Sequence, residues 1–149
     1  MNLHCITSIC LLFISISFSA QAQEFSEVCS NEKVYYSLEE ALKDKANVKK
    51  LDLSMQKIKV LPATIAQLEN LECLDLSFNI FSTLPVEITQ LKHLKYLNIM
   101  GTRYTAKVPA VVKDIPNLQI LDIREHPEWP KTNFSDAIKM LPNVKVITQ

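Results

Sequence analysis

The feature that most restricts what this chain can become is a spacing. Val48-x-x-Leu51-x-Leu53 recurs as Leu71-x-x-Leu74-x-Leu76, Leu94-x-x-Leu97-x-Ile99 and Leu118-x-x-Leu121-x-Ile123, and then as Val144-x-x-Ile147. The central residues Leu51, Leu74, Leu97, Leu121 and Ile147 stand about 23, 23, 24 and 26 residues apart, a period in the range of stacked repeat architectures. Each unit carries a second half: Leu61-Pro62-x-x-Ile65-x-x-Leu68, Leu84-Pro85-x-x-Ile88-x-x-Leu91, Val108-Pro109-x-x-Val112-x-x-Ile115, and a looser Phe134-x-x-x-Ile138-x-x-Leu141. In the first half, as in Leu51-Asp52-Leu53-Ser54, apolar and polar residues alternate, which predicts a short strand with one buried face. In the second half the apolar spacing becomes three, and Pro stands near the first helical position, where its missing N–H costs nothing. One strand and one helical turn cannot bury their apolar sides alone, but stacked units can. The expected fold is therefore an α/β solenoid with a parallel sheet on its concave side and short helical turns on its convex side. Ile58, Phe81, Tyr104 and, after an insertion, Trp129 are expected to form one interior column between the halves.

The stretches Leu51-Asp52-Leu53-Ser54 and Leu74-Asp75-Leu76-Ser77-Phe78-Asn79 resemble the leucine-rich repeat consensus. The Leu-Pro-x-x-Ile-x-x-Leu halves resemble the class of repeat found in many bacterial proteins and in eukaryotic signalling scaffolds. This resemblance covers residues 38–149 and implies a short horseshoe that binds through its concave face. Four units and a partial fifth occupy residues 48–149.

Two segments precede the repeats. Met1 to Ala22 contains no Asp, Glu, Lys or Arg, has an apolar centre from Ile9 to Ile16, and ends in Ala20-Gln21-Ala22, the small-x-small pattern of a cleavable signal peptide. The apolar stretch, Ile6 to Ala20, is shorter than the ~20 residues needed to span a bilayer. Residues 1–22 are thus expected to be a signal peptide and the protein to be exported, periplasmic or extracellular, with no membrane attachment after cleavage. Cys5 and Cys10 would leave with that leader. Cys29 and Cys73 would remain, either paired in an oxidising compartment or as two independent thiols. Residues 23–47 are expected to form an N-terminal cap, since Ser37-Leu38-Glu39-Glu40 is a capping box opening a short helix, with Leu38, Ala41 and Leu42 on its apolar face. Val34-Tyr35-Tyr36 is expected to add an edge strand. At the other end, Val144-Lys145-Val146-Ile147-Thr148 shows no comparable cover, an apolar edge open to self-association.

Composition narrows the function. Lys+Arg and Asp+Glu both total 16, so the basic excess of a nucleic-acid binder is missing. Gly101 is the single glycine, which excludes phosphate loops and dinucleotide fingerprints that need several. There is no nucleophile elbow, no His-Glu-x-x-His and no Cys-x-x-Cys. No catalytic residue, metal or cofactor is expected. A Cys73–His93 nucleophile pair, or a cation held by Asp52 and Asp75, is the most that could be assembled.

Outward strand residues read in rows as Lys50/Asp52/Ser54, Cys73/Asp75/Ser77, Tyr96/Asn98/Met100 and Ile120/Asp122/Arg124. Asp52, Ser54, Asp75 and Ser77 follow the repeat consensus and are read as scaffold. Lys50, Cys73, Tyr96, Met100, Ile120 and Arg124 are the candidate partner-binding residues. An aromatic, a Met, an aliphatic and an Arg on neighbouring strands have the composition of an interface hot spot. Gln56, Thr102 and His126 stand where Asn79 stands in its unit, a position that satisfies backbone groups in the turn. The expected function is non-enzymatic binding of another protein through the concave face. The alternatives are a small-ligand, glycan or Ca²⁺ module, or a structural module self-associating through its C-terminal edge.

Overall fold

The computed structural model describes residues 28–29, 33–102 and 106–149. The expected leader and Tyr104 lie outside the described residues. Among those described, no helix is long and apolar enough to cross a membrane.

Six strands, β1 (Val34–Tyr35), β2 (Lys50–Asp52), β3 (Cys73–Asp75), β4 (Tyr96–Asn98), β5 (Ile120–Asp122) and β6 (Lys145–Ile147), form one sheet in sequence order. Every neighbouring pair is parallel, with Leu51, Leu74, Leu97 and Leu121 in one registered row. Strands β2 to β5 are short because each ends in a side-chain turn. Asp52, Asp75, Asn98 and Asp122 accept, through Oδ1, from the backbone N–H two residues on, at 2.9, 2.8, 2.9 and 3.2 Å, which bends the chain out of the sheet. The row ends differently from its expected course. Val146, not Ile147, stands beside Leu121. A slip of one residue turns every side chain to the other face, so Val146 packs against the core and Ile147 faces outward.

The second halves of three units are 3-10 helices, Ala63–Gln67, Val86–Gln90 and Ala110–Asp114, each entered through a proline. An apolar spacing of three matches the three residues per turn of that helix, and Leu68 N–H donates to the Ile65 carbonyl at 3.1 Å. The last unit breaks the pattern with an α-helix, Lys131–Met140. Its period approaches four, so Leu141 N–H donates to the Ala137 carbonyl at 3.1 Å. Ala137 is buried while Ile138 is 53% exposed. Ile138 is therefore not the counterpart of Ile65, Ile88 and Val112.

Sheet and helices enclose one core that includes Leu51, Leu74, Leu97, Leu121, Phe81 and Trp129, with Ile58 against it. Each fully buried Leu of this kind is worth about 1.5–3 kcal/mol. At the N-terminal end helix α1 (Leu38–Lys43) starts where the Ser37 side chain accepts from Glu40 N–H, and Ala41, Leu38 and Leu42 close the stack. Strand β1 pairs with β2 there, and the Tyr35 hydroxyl donates to Asp44.

A left-handed residue marks the same place in every turn: Met55, Phe78, Gly101 and Glu125, with φ of 59, 54, 61 and 58°. Glycine is needed only at Gly101, where a Cβ would stand 2.6 Å from the Phe78 ring. The next residue holds the turn to the stack. Asn79 Nδ2 donates to the Leu53 carbonyl of the preceding unit at 2.8 Å and to the Leu76 carbonyl of its own at 2.9 Å, while its Oδ1 accepts from Ile58 N–H at 2.9 Å. Thr102 and His126 share these tasks, for both reach the Ile99 carbonyl, at 3.0 and 3.1 Å. Gln56 Nε2 reaches the Tyr36 carbonyl at 2.8 Å.

Candidate functional site

The outer face of the sheet follows from the same alternation that builds the core. One row runs Lys50, Cys73, Tyr96, Ile120, Lys145, and a second runs Asp52, Asp75, Asn98, Asp122, Ile147. Of the six candidate residues, Lys50, Cys73, Tyr96 and Ile120 stand in the first row, while Met100 and Arg124 lie just beyond β4 and β5, and the four are not one open patch. Cys73, Tyr96 and Ile120 are buried, at 2%, 6% and 6% exposure. They form a second, separate apolar cluster with Cys29, against which Val28 and Ile147 pack.

The cover comes from outside the repeats. Cys29 and Cys73 are joined by a disulfide across 44 residues of sequence, with Cα atoms 5.7 Å apart. This bond holds Cys29 over the middle of the sheet. Alternation can assign a side chain to a face, yet it says nothing of a distant segment laid on top, and for that reason Tyr96 and Ile120 read as solvent-facing. The spacing assigns Ile147 to the inner row, where the structure puts Val146, and does not single out Val28. The parity of Ile147 within its strand was the available signal, but no pattern marked Val28.

The other candidates lie around the covered stripe. Lys50 and Met100 are half-buried. Arg124 is half-buried as well, and the Nε–Nη2 edge of its guanidinium is bonded to Asp122, with Nε at 3.0 and 3.1 Å and Nη2 at 2.6 Å from the carboxylate oxygens. Asp122 itself is fully buried, and this bonding raises the Arg124 pKa.

In the second row the carboxylates serve the scaffold. Besides capping its turn, Asp75 accepts from Ser77 Oγ at 2.6 Å and Asn98 Nδ2 at 2.9 Å. Burial nevertheless pushes its carboxyl above the ordinary range. Burial also pushes the Tyr96 hydroxyl up, helped by the charges of Asp122 and Asp75. Cys73 Sγ is bonded to Cys29, so it cannot serve His93 as a nucleophile while the disulfide stands. Among the described residues no group of three or more His, Cys, Asp or Glu side chains is placed to hold a metal ion.

Two hollows flank the cluster. A cavity of about 180 Å³ lies beside the disulfide, lined among others by Val34, Tyr36, Lys50, Asp52, Asp75 and Tyr96. A wider cleft of about 630 Å³ lies at the C-terminal end, where Arg124, His126, Trp129, Phe134 and Gln149 meet. There the His126 ring stacks on Trp129 at 3.9 Å. Burial lowers the His126 pKa and outweighs the bond from Nε2 to the Ile99 carbonyl, which acts the other way; Nδ1 is buried without a partner. A neutral ring fits that setting.

Comparison with known proteins addresses the repeats as a whole. A family model described as a leucine-rich repeat region matches residues 26–149. Among solved structures, a leucine-rich repeat protein of Leptospira interrogans is 30% identical, with 78% of this chain and 34% of that one covered and a TM-score of 0.45. This chain thus spans about a third of the length of that protein. No curated protein matches.

Proposed function

From the premise that the chain belongs to the leucine-rich repeat family, we propose that it is an exported, non-enzymatic interaction module that takes a protein partner on the outer face of its sheet. The observation that carries this reading is the unbroken parallel register of β2 to β6. It fixes outward side chains at ~4.8 Å intervals, a rigid template for a macromolecular surface. The cavity beside it, about 180 Å³, is smaller than the ~300–1,000 Å³ of small-molecule sites. It suits one side chain of a docked protein better than a free ligand. A disulfide between the two cysteines beyond the leader supports export, because such bonds persist in oxidising compartments.

The test is capture of a partner from the periplasm or culture medium, followed by charge swaps on opposite sides. Lys50→Glu with Lys145→Glu alters the outer face, whereas Glu69→Lys with Lys92→Glu alters exposed residues on the helical side. The first pair should weaken capture at least about ten-fold, a loss of ~1.4 kcal/mol, and the second should leave it unchanged. Loss with the second pair alone would move the site to the helical side.

A further inference from the structure

We propose that the Cys29–Cys73 disulfide is a redox latch that seats the Val28–Cys29 segment on the outer sheet face in place of a partner, and that reduction uncovers Tyr96 and Ile120. The proposal rests on the reading of that face as the binding surface. Three observations carry it. First, the outer cluster of Cys29, Cys73, Tyr96 and Ile120 is distinct from the inner core, which contains neither cysteine. Opening it leaves the stack of repeats closed. Second, the cover seen among the described residues is Val28 and Cys29 from the N-terminal side, with Ile147 at the edge. The disulfide ties this segment, which belongs to no repeat, to the sheet. Third, what lies beneath is an aromatic and an aliphatic side by side on β4 and β5, the composition of an interface anchor. The partner suited to it presents an apolar side chain where Val28 now packs.

Opening is a two-electron exchange with a dithiol reductant, such as an oxidoreductase with paired thiols. One thiolate attacks Sγ of Cys29 and Cys73 leaves as a thiolate. The second thiol of the reductant then resolves the mixed disulfide and frees Cys29. The reductant ends as its own disulfide, and its two protons pass to the two cysteines. Both cysteines are 2% exposed, so attack waits on a fluctuation of the segment and the latch stays shut by default.

The full chain provides its own controls, because Tyr36 is 64% exposed and Tyr35 is buried in the inner core. Tyrosine nitration with tetranitromethane, read by mass spectrometry, should leave Tyr96 protected in the disulfide form. In a Cys29→Ser, Cys73→Ser double variant Tyr96 should react at least ten-fold faster while Tyr35 stays protected. Adding dithiothreitol to the wild-type protein should raise the fluorescence of an apolar dye, and reoxidation should reverse it. Tyr96 still protected in the double variant, or Tyr35 and Tyr96 exposed together, would overturn the latch. Tyr96 opening with no gain in partner capture would leave the latch in place and remove the interaction reading instead.

Discussion

The two sides of the same strands are held in different ways. Leu121 and Ile120 are neighbours on β5, both buried, yet Leu121 belongs to a cluster that runs through every unit and Ile120 to a cluster of four that includes Cys29 of the tethered segment. On the inner side each side chain is packed by the units before and after it, so burial is collective and no single bond decides it. On the outer side burial depends on one covalent link to a residue outside the repeats. A repeat protein of this kind therefore has a face that can change state without unfolding, because its stability is stored on the other one.

Substitutions on the two sides should separate them. The largest effect is expected from Leu121→Ala, which leaves a void in the continuous core and should lower unfolding stability by about 4 kcal/mol, measured by urea denaturation. Cys29→Ser removes a cross-link spanning 44 residues and should cost about 3 kcal/mol, in the same assay, with the parallel ladder intact by circular dichroism. Ile120→Ala should cost about 2 kcal/mol in the disulfide form and about half that in the Cys29→Ser background. Equal costs in both backgrounds would mean that the segment does not cover Ile120.

The smallest expected effect concerns pH. The folded His126 pKa is lowered, mainly by burial, so on acidification the unfolded chain takes up the proton first and stability falls as pH drops below about 6.5. Asp75 acts the other way, because its raised pKa lets the folded state bind a proton first. His126→Asn, which restores the residue that fills this place as Asn79, isolates the first effect. Wild-type stability should fall more than that of the variant between about pH 7.5 and pH 5.5, measured by the urea midpoint at each pH.

How far the sequence reveals this molecule depends on whether a feature repeats. The inner row from Leu51 to Leu121 and the 3-10 spacing of Ile65, Ile88 and Val112 are legible because each unit restates them. In the last unit an α-helix replaces the 3-10 turn, the period moves from three toward four, and Ala137 takes the place assigned to Ile138. That change and the insertion before it hide the register that puts Val146 beside Leu121. The candidate site was legible only in part. Side-chain parity places Lys50, Tyr96, Ile120 and Arg124 on the outer face, but the cover over Tyr96 and Ile120 depends on a Cα separation between Cys29 and Cys73 that no local pattern encodes. The pairing of Arg124 with Asp122 is likewise a matter of rotamer and burial.

Side-chain NMR contacts in the oxidised and reduced full chain separate the two faces most directly. Nuclear Overhauser contacts among the methyls of Leu74, Leu97 and Leu121 should persist in both states. Those between Val28 and the Tyr96 or Ile120 side chains should be present only with the disulfide intact. Loss of both sets together, or survival of the Val28 contacts after reduction, would contradict the division between a collective core and a tethered face.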